Sequence, residues 1–75
     1  MSEADKMFEE LGYTVSEQLK NGIVYLKETD DEDMEISFID YEDYGKTVEV
    51  DKFDGLITMQ ELQAINKKCK ELGWI

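Results

Sequence analysis

The pair Asn21-Gly22, set between two runs of alternating residues, constrains the fold more tightly than any other feature of this chain. A two-residue type I′ turn needs positive φ at both central positions, and asparagine and glycine tolerate that best. Folding about the pair sets Leu19 against Val24, Glu17 against Leu26 and Val15 against Glu28. Val15, Leu19, Val24 and Leu26 then share one face, the expected core face, while Thr14 and Tyr25 fall on the other. Residues 29–34 are too acidic for a strand and read as an exposed turn. Residues 35–41 alternate with Ile36 and Phe38 on one side, and Tyr44-Gly45 marks a second reversal. Residues 47–53 alternate again, with Val48 and Val50 inward. The expectation is an antiparallel meander of three or four strands.

Helical signals flank the meander. Ala4, Met7, Phe8 and Leu11 follow the i, i+3, i+4, i+7 spacing of one apolar helix face. Ser2 is placed to cap that helix, and Gly12 to end it in the left-handed conformation, leaving Tyr13 to pack back on Phe8. At the other end, Thr58-Met59-Gln60-Glu61 fits a capping box, with Ile57 and Leu62 spaced for a hydrophobic staple. Leu62, Ile65, Cys69 and Leu72 read as the buried stripe of the second helix, with Gln63, Lys67, Lys70 and Glu71 toward water. Gly73 ends it and lets Trp74 close over Cys69. Residues 1–75 therefore read as one α+β domain: an N-terminal helix, the meander, and a C-terminal helix, both helices on one face of the sheet.

Charge narrows the function classes. Nineteen acids against eight lysines leave a formal charge of −11, without arginine or histidine. Residues 28–54 hold twelve of the acids and two lysines, a net of −10, whereas residues 58–75 carry +1. A surface of that sign repels nucleic acid and anionic membrane and favours basic protein partners or cations. The plainer reading of the same charge is a solvated surface that keeps a small protein soluble. No apolar run approaches a membrane span, and the acidic N-terminus is unlike a basic signal peptide, so the expected location is the cytosol. A single cysteine agrees with a reducing compartment.

Conventional catalytic chemistry finds little to use. Without histidine, the commonest general base and zinc ligand are missing. Cys69, on the inner face of a helix among acids, should have a raised pKa and serve as a small core residue. There is no phosphate-binding glycine loop. Residues 54–62 do imitate the second half of an EF-hand loop, with Asp54, Gly55, Ile57 and Glu61 in matching positions. Loop positions 1 and 3 would be Val50 and Lys52, so two ligands are lost, one of them to a cation. A turn followed by a capping box accounts for every matching residue. The expectation is neither enzyme nor cofactor protein.

Two segments carry a resemblance. Asp5-Lys6-Met7-Phe8-Glu9-Glu10-Leu11-Gly12-Tyr13 and the run from Ile57-Thr58-Met59-Gln60-Glu61 through Lys70-Glu71-Leu72-Gly73-Trp74 resemble small acidic proteins of phages and integrated prophages of Gram-positive bacteria. The likeness covers both helices, while the strands between look variable. It implies an accessory protein in a bacterial cytosol and supplies no activity. Together with the charge, it leads to the expectation of a protein that binds a basic host or phage protein surface, without direct nucleic-acid or membrane contact. The candidate contact residues are Asp30, Asp31, Glu32, Asp33, Asp40, Glu42 and Asp43, with Tyr41 and Tyr44 among them. Two alternatives stay open: an acidic mimic of nucleic acid that occupies a host protein's basic groove, and a structural domain with weak cation binding.

Overall fold

The computed structural model describes residues 2–75. Its elements run α1 (Glu3–Glu10), β1 (Thr14–Leu19), β2 (Gly22–Glu28), β3 (Asp33–Tyr41), β4 (Gly45–Asp51) and α2 (Met59–Glu71). The four strands form one antiparallel sheet in chain order, and the two helices cover one of its faces. This is the expected α+β architecture, with four strands.

The helix ends follow the local chemistry of the sequence. Ser2 accepts a hydrogen bond from the Asp5 N–H at 2.9 Å, satisfying one of the free donors of α1. The capping box of α2 is complete: Thr58 Oγ1 accepts from the Glu61 N–H at 3.1 Å, and Glu61 Oε1 accepts from the Thr58 N–H at 2.9 Å. Both helices close the same way. The Tyr13 N–H reaches the Phe8 carbonyl at 2.9 Å and the Trp74 N–H reaches the Cys69 carbonyl at 2.8 Å, each past a glycine with φ of 94° or 75°. The staple does not form a buried contact, because Ile57 and Leu62 stay 40% and 48% exposed.

The first hairpin departs from expectation. Leu19 pairs with Gly22, so the reversal is made by Lys20-Asn21, and no non-glycine residue among those described has positive φ. Gly22 is needed for a different reason. A Cβ there would stand 2.1 Å from the Phe38 carbonyl oxygen and 2.8 Å from Ile39 Cδ1. The glycine lets β2 lie against β3 at the turn, where the Asp40 N–H also bonds the Asn21 carbonyl at 2.8 Å. A bulge between Val15 and Glu17 then adds one residue to β1.

The core face is the one expected to point outward. Leu19, Val24 and Leu26 do share a side, but it is the side away from the helices, and the bulge moves Val15 off it. Toward the helices stand Ile23, Tyr25, Ile36 and Phe38, all in the buried cluster with Phe8, Tyr13, Ala64, Ile65 and Cys69. The Tyr25 ring stacks on Phe8 with centroids 4.1 Å apart and meets Phe38 edge-on at 5.8 Å. Two large rings offer α1 more apolar area than the Leu–Val face does. Val50 packs against this cluster from β4, and Val48 is its half-exposed neighbour on the same side.

Two smaller corrections follow from packing. Strand β3 begins at Asp33, two residues inside the stretch read as turn, because Glu28 and Asp33 still pair across the ladder. In α2 the buried residues are Glu61, Ala64, Ile65, Lys68 and Cys69, whereas Leu62 and Leu72 are 48% and 39% exposed. The stripe is rotated because α1 lies along that flank, and two charged side chains are drawn inside by partners there.

Candidate functional site

Two buried polar clusters use up acids and lysines inside the fold. Glu61 Oε1 accepts from Lys52 Nζ at 2.5 Å and Oε2 accepts from the Tyr13 hydroxyl at 2.7 Å, with the Thr58 N–H as a further donor. Asp5 accepts from the Tyr25 hydroxyl and, at 3.3 Å, from Lys68 Nζ. Glu71 Oε2 accepts from the Ala4 N–H at 2.9 Å, which ties the end of α2 to the start of α1. Burial works to raise the pKa of both Glu61 and Asp5, but the donors around them outweigh it and hold both below the ordinary carboxylate values. Burial, then the facing carboxylates, push the Tyr13 and Tyr25 hydroxyls well above the ordinary tyrosine value. Among the described residues no buried side-chain nitrogen or oxygen lacks a partner. These clusters are satisfied structural networks. Glu61 in particular, at the glutamate position of the EF-hand-like run, already has three donors.

Cys69 is buried, and burial raises its pKa, as the sequence suggests. Two open clefts of about 270 and 260 Å³ lie beside the helices. The first borders Asp40, Lys68 and Trp74, the second Met7, Glu10 and Gln60, and neither joins a nucleophile to a base. Among the described residues no three acidic or cysteine side chains come together so as to hold a metal ion.

The proposed contact residues separate into two groups. Asp30, Asp31, Glu32 and Asp33 lie at the β2–β3 turn, and Asp40, Tyr41, Glu42, Asp43 and Tyr44 lie at the opposite end of β3. Six strand residues, 34–39, stand between, which sets Asp33 and Asp40 roughly 23 Å apart along the strand. At the first turn, Thr29 Oγ1 donates to the Glu32 carbonyl at 2.7 Å and accepts from the Glu32 N–H at 3.0 Å, while Asp30 and Asp31 are exposed. Glu32 also reaches the Phe53 N–H at 3.4 Å. At the other end Tyr41 and Tyr44 meet edge to face at 6.0 Å, and Asp40 forms a loose pair with Lys46 at 3.8 Å. These residues do not make one site.

What connects the two ends is the sheet face turned away from the helices. Strand alternation places Glu17, Glu28, Asp33, Glu35, Glu49 and Asp51 on it. Glu28 stands directly opposite Asp33, and Glu35 directly opposite Asp51. Like charges in such positions repel. No strand lysine shares the face. Lys27 turns inward to the Tyr13 ring, with Nζ 5.8 Å from its centroid, and Lys46 pairs with Asp40 on the helix side. Between the acids runs an apolar strip on the two central strands, Val24, Leu26 and Ile39, with Ser37 among them. Sequence reasoning missed this face by assigning its Leu–Val side to the core. The signal was available in the alternation of acids at 33, 35, 49 and 51 with apolar residues at 34, 36, 48 and 50. The apolar strip is largely covered by its neighbours, with Val24 only 7% exposed. More fully exposed apolar residues lie at the β4–α2 loop and the start of α2, where Phe53 is 95%, Leu56 66% and Met59 67% exposed.

Comparison with known proteins adds no relationship: neither a protein family, a curated protein nor a solved structure matches this chain.

Proposed function

We propose that this is a non-enzymatic binding protein whose partner is a basic protein surface, met by the helix-free side of the sheet and the acidic β2–β3 turn. The observation that carries this reading is the contrast between the two uses of carboxylates. Inside the fold, Asp5 and Glu61 are matched to Lys68 and Lys52. On the outer face, six carboxylates stand in two like-charged cross-strand pairs and flanking positions without a strand lysine among them. That repulsion destabilises the isolated sheet, and a partner's cations relieve it. The acids are spread at strand spacing, and no three of the described ones converge on a metal-sized point, so a polycationic surface suits them better than a single ion. The resemblance of both helical ends to phage and prophage proteins supports an accessory role in a bacterial cytosol, where the partner is a host or phage protein.

Affinity capture from bacterial lysate, with elution in salt steps, tests the reading. Wild-type protein should retain a basic partner at low salt and release it as salt rises, because exposed pairs are screened over about 8–10 Å. The variant Glu28→Gln/Asp33→Asn/Glu35→Gln/Asp51→Asn should lose that partner while melting at the same temperature or higher. Equal retention by both proteins sinks the proposal. Competition by duplex DNA for the same partner would identify it as a nucleic-acid-binding protein.

A further inference from the structure

We infer that the occupant of the outer sheet face is a protein α-helix whose apolar stripe is bordered on both sides by lysine or arginine. The inference rests on the basic-partner reading and specifies its shape. The sheet is covered by α1 and α2 on one side only, so a helix laid on the other completes a three-layer arrangement of a familiar kind.

The layout of the face selects this partner. Its apolar strip runs along the central strands β2 and β3 from the β1–β2 turn, with Leu26 and Ile39 half-buried and Val24 between them only 7% exposed. Acids flank that strip on both edges, Glu17 on β1 and Glu49 and Asp51 on β4, and Glu28, Asp33 and Glu35 close its far end on β2 and β3 themselves. Four strands at ~4.8 Å spacing place β1 and β4 ~14 Å apart. A helix with its side chains is ~10–12 Å across, so one lying along β2 and β3 sets its stripe on the apolar strip. It also brings the lysines or arginines of its last turn to Glu28, Asp33 and Glu35 at the strip's end. Its flanking cations then extend their long stems toward the acids on either edge. A bare polycation would leave the strip uncovered, and an apolar helix would bury carboxylates unpaired. A second copy of this chain is disfavoured, since face-to-face packing opposes acids to acids. Nucleic acid and anionic lipid meet the same repulsion.

A designed peptide of leucine and lysine, roughly 18 residues and ~27 Å long as a helix, is the probe. Its leucines form one stripe with lysines on both borders; a control of identical composition scatters the leucines. NMR amide shifts and a fluorescence titration at fixed salt read the binding. The striped peptide should bind about tenfold more tightly than the scattered one, with shifts on β2, β3 and β4. Glu49→Lys/Asp51→Lys should weaken the striped peptide by about tenfold or more, and Leu26→Ser should reduce its advantage over the control. Phe53→Ala should leave binding unchanged, and circular dichroism checks that each variant is folded. Equal binding of both peptides overturns the helix and leaves the basic-partner reading standing. Shifts confined to residues 53–62, with loss on Phe53→Ala, overturn the location. Failure of both peptides to bind overturns this inference and the proposed function together.

Discussion

Glu61→Gln isolates what the chain gains by burying a carboxylate at the start of α2. Three donors converge on that carboxylate: Lys52 Nζ at 2.5 Å, the Thr58 N–H at 2.9 Å and the Tyr13 hydroxyl at 2.7 Å. Glutamine keeps the shape and one carbonyl oxygen, so the cap bond survives, but the charge facing Lys52 is lost. Breaking a fully buried ion pair from one side costs about 3–5 kcal/mol. Lys52 adjoins the exposed loop at residues 53–58, and its flexible stem can carry the ammonium to water. The expected loss is therefore about 2–3 kcal/mol, against about 1 kcal/mol for Thr58→Ala, which removes a single cap bond. Urea melts followed by Trp74 fluorescence and far-ultraviolet circular dichroism measure both. In Glu61→Gln/Lys52→Met each charge leaves with its partner, so the double variant should cost at least about 1 kcal/mol less than the sum of the singles. A loss for Glu61→Gln no larger than that for Thr58→Ala, with an additive double variant, would refute the reasoning.

Acid titration should extend that result with a defined sign. The native Glu61 pKa lies below its ordinary value of 4.5, so its stabilisation is complete above that pH and disappears as pH falls through the native value. The stability difference between wild type and Glu61→Gln should accordingly shrink in melts below pH 4.5. At alkaline pH the linkage reverses: Tyr13 and Tyr25 hold their protons above the ordinary value of 10.0, so stability should fall as the unfolded chain ionises. Tyr25→Phe should reduce that slope by about 1.4 kcal/mol per pH unit. Gly22→Ala should cost about 3 kcal/mol or more through its clash with the Phe38 carbonyl; Gly55→Ala, with open space but a φ of 68°, should cost about 1–2 kcal/mol in the same denaturant melts. Ile65→Ala should cost about 2–5 kcal/mol by leaving a cavity in the core; a negligible loss would mean that α2 is not docked there.

The acidic outer face was half legible. Its sign, and its concentration in residues 28–54, are properties of composition, and Asp33, one of the residues read as a candidate contact, lies on it. The turn acids were readable but do not converge, because a nine-residue strand holds the two turns apart. Glu28, Glu35, Glu49 and Asp51 join across three strands, and sequence proximity could not disclose that, since Glu35 meets Asp51 through the sheet ladder.

Local rules determined the ends of this protein. Caps, glycine stops and the first aromatic closure depend on residues within one turn of each other, so Ser2, Thr58, Glu61, Gly12 and Gly73 behave as their neighbours dictate. Alternation likewise established which strand residues share a side, as with Leu19, Val24 and Leu26. Which side is covered is a different kind of question. It is decided by the competition of whole faces for the helices, and Tyr25 with Phe8 and Phe38 prevailed over the smaller aliphatic set. Charged positions in α2 show the same division. Periodicity assigns Glu61 and Lys68 to no core, yet Tyr13, Lys52 and Asp5, brought from remote parts of the chain, supply the partners that make their burial tolerable. Short-range geometry is written in neighbouring residues, whereas desolvation and partnering depend on groups that only folding brings together.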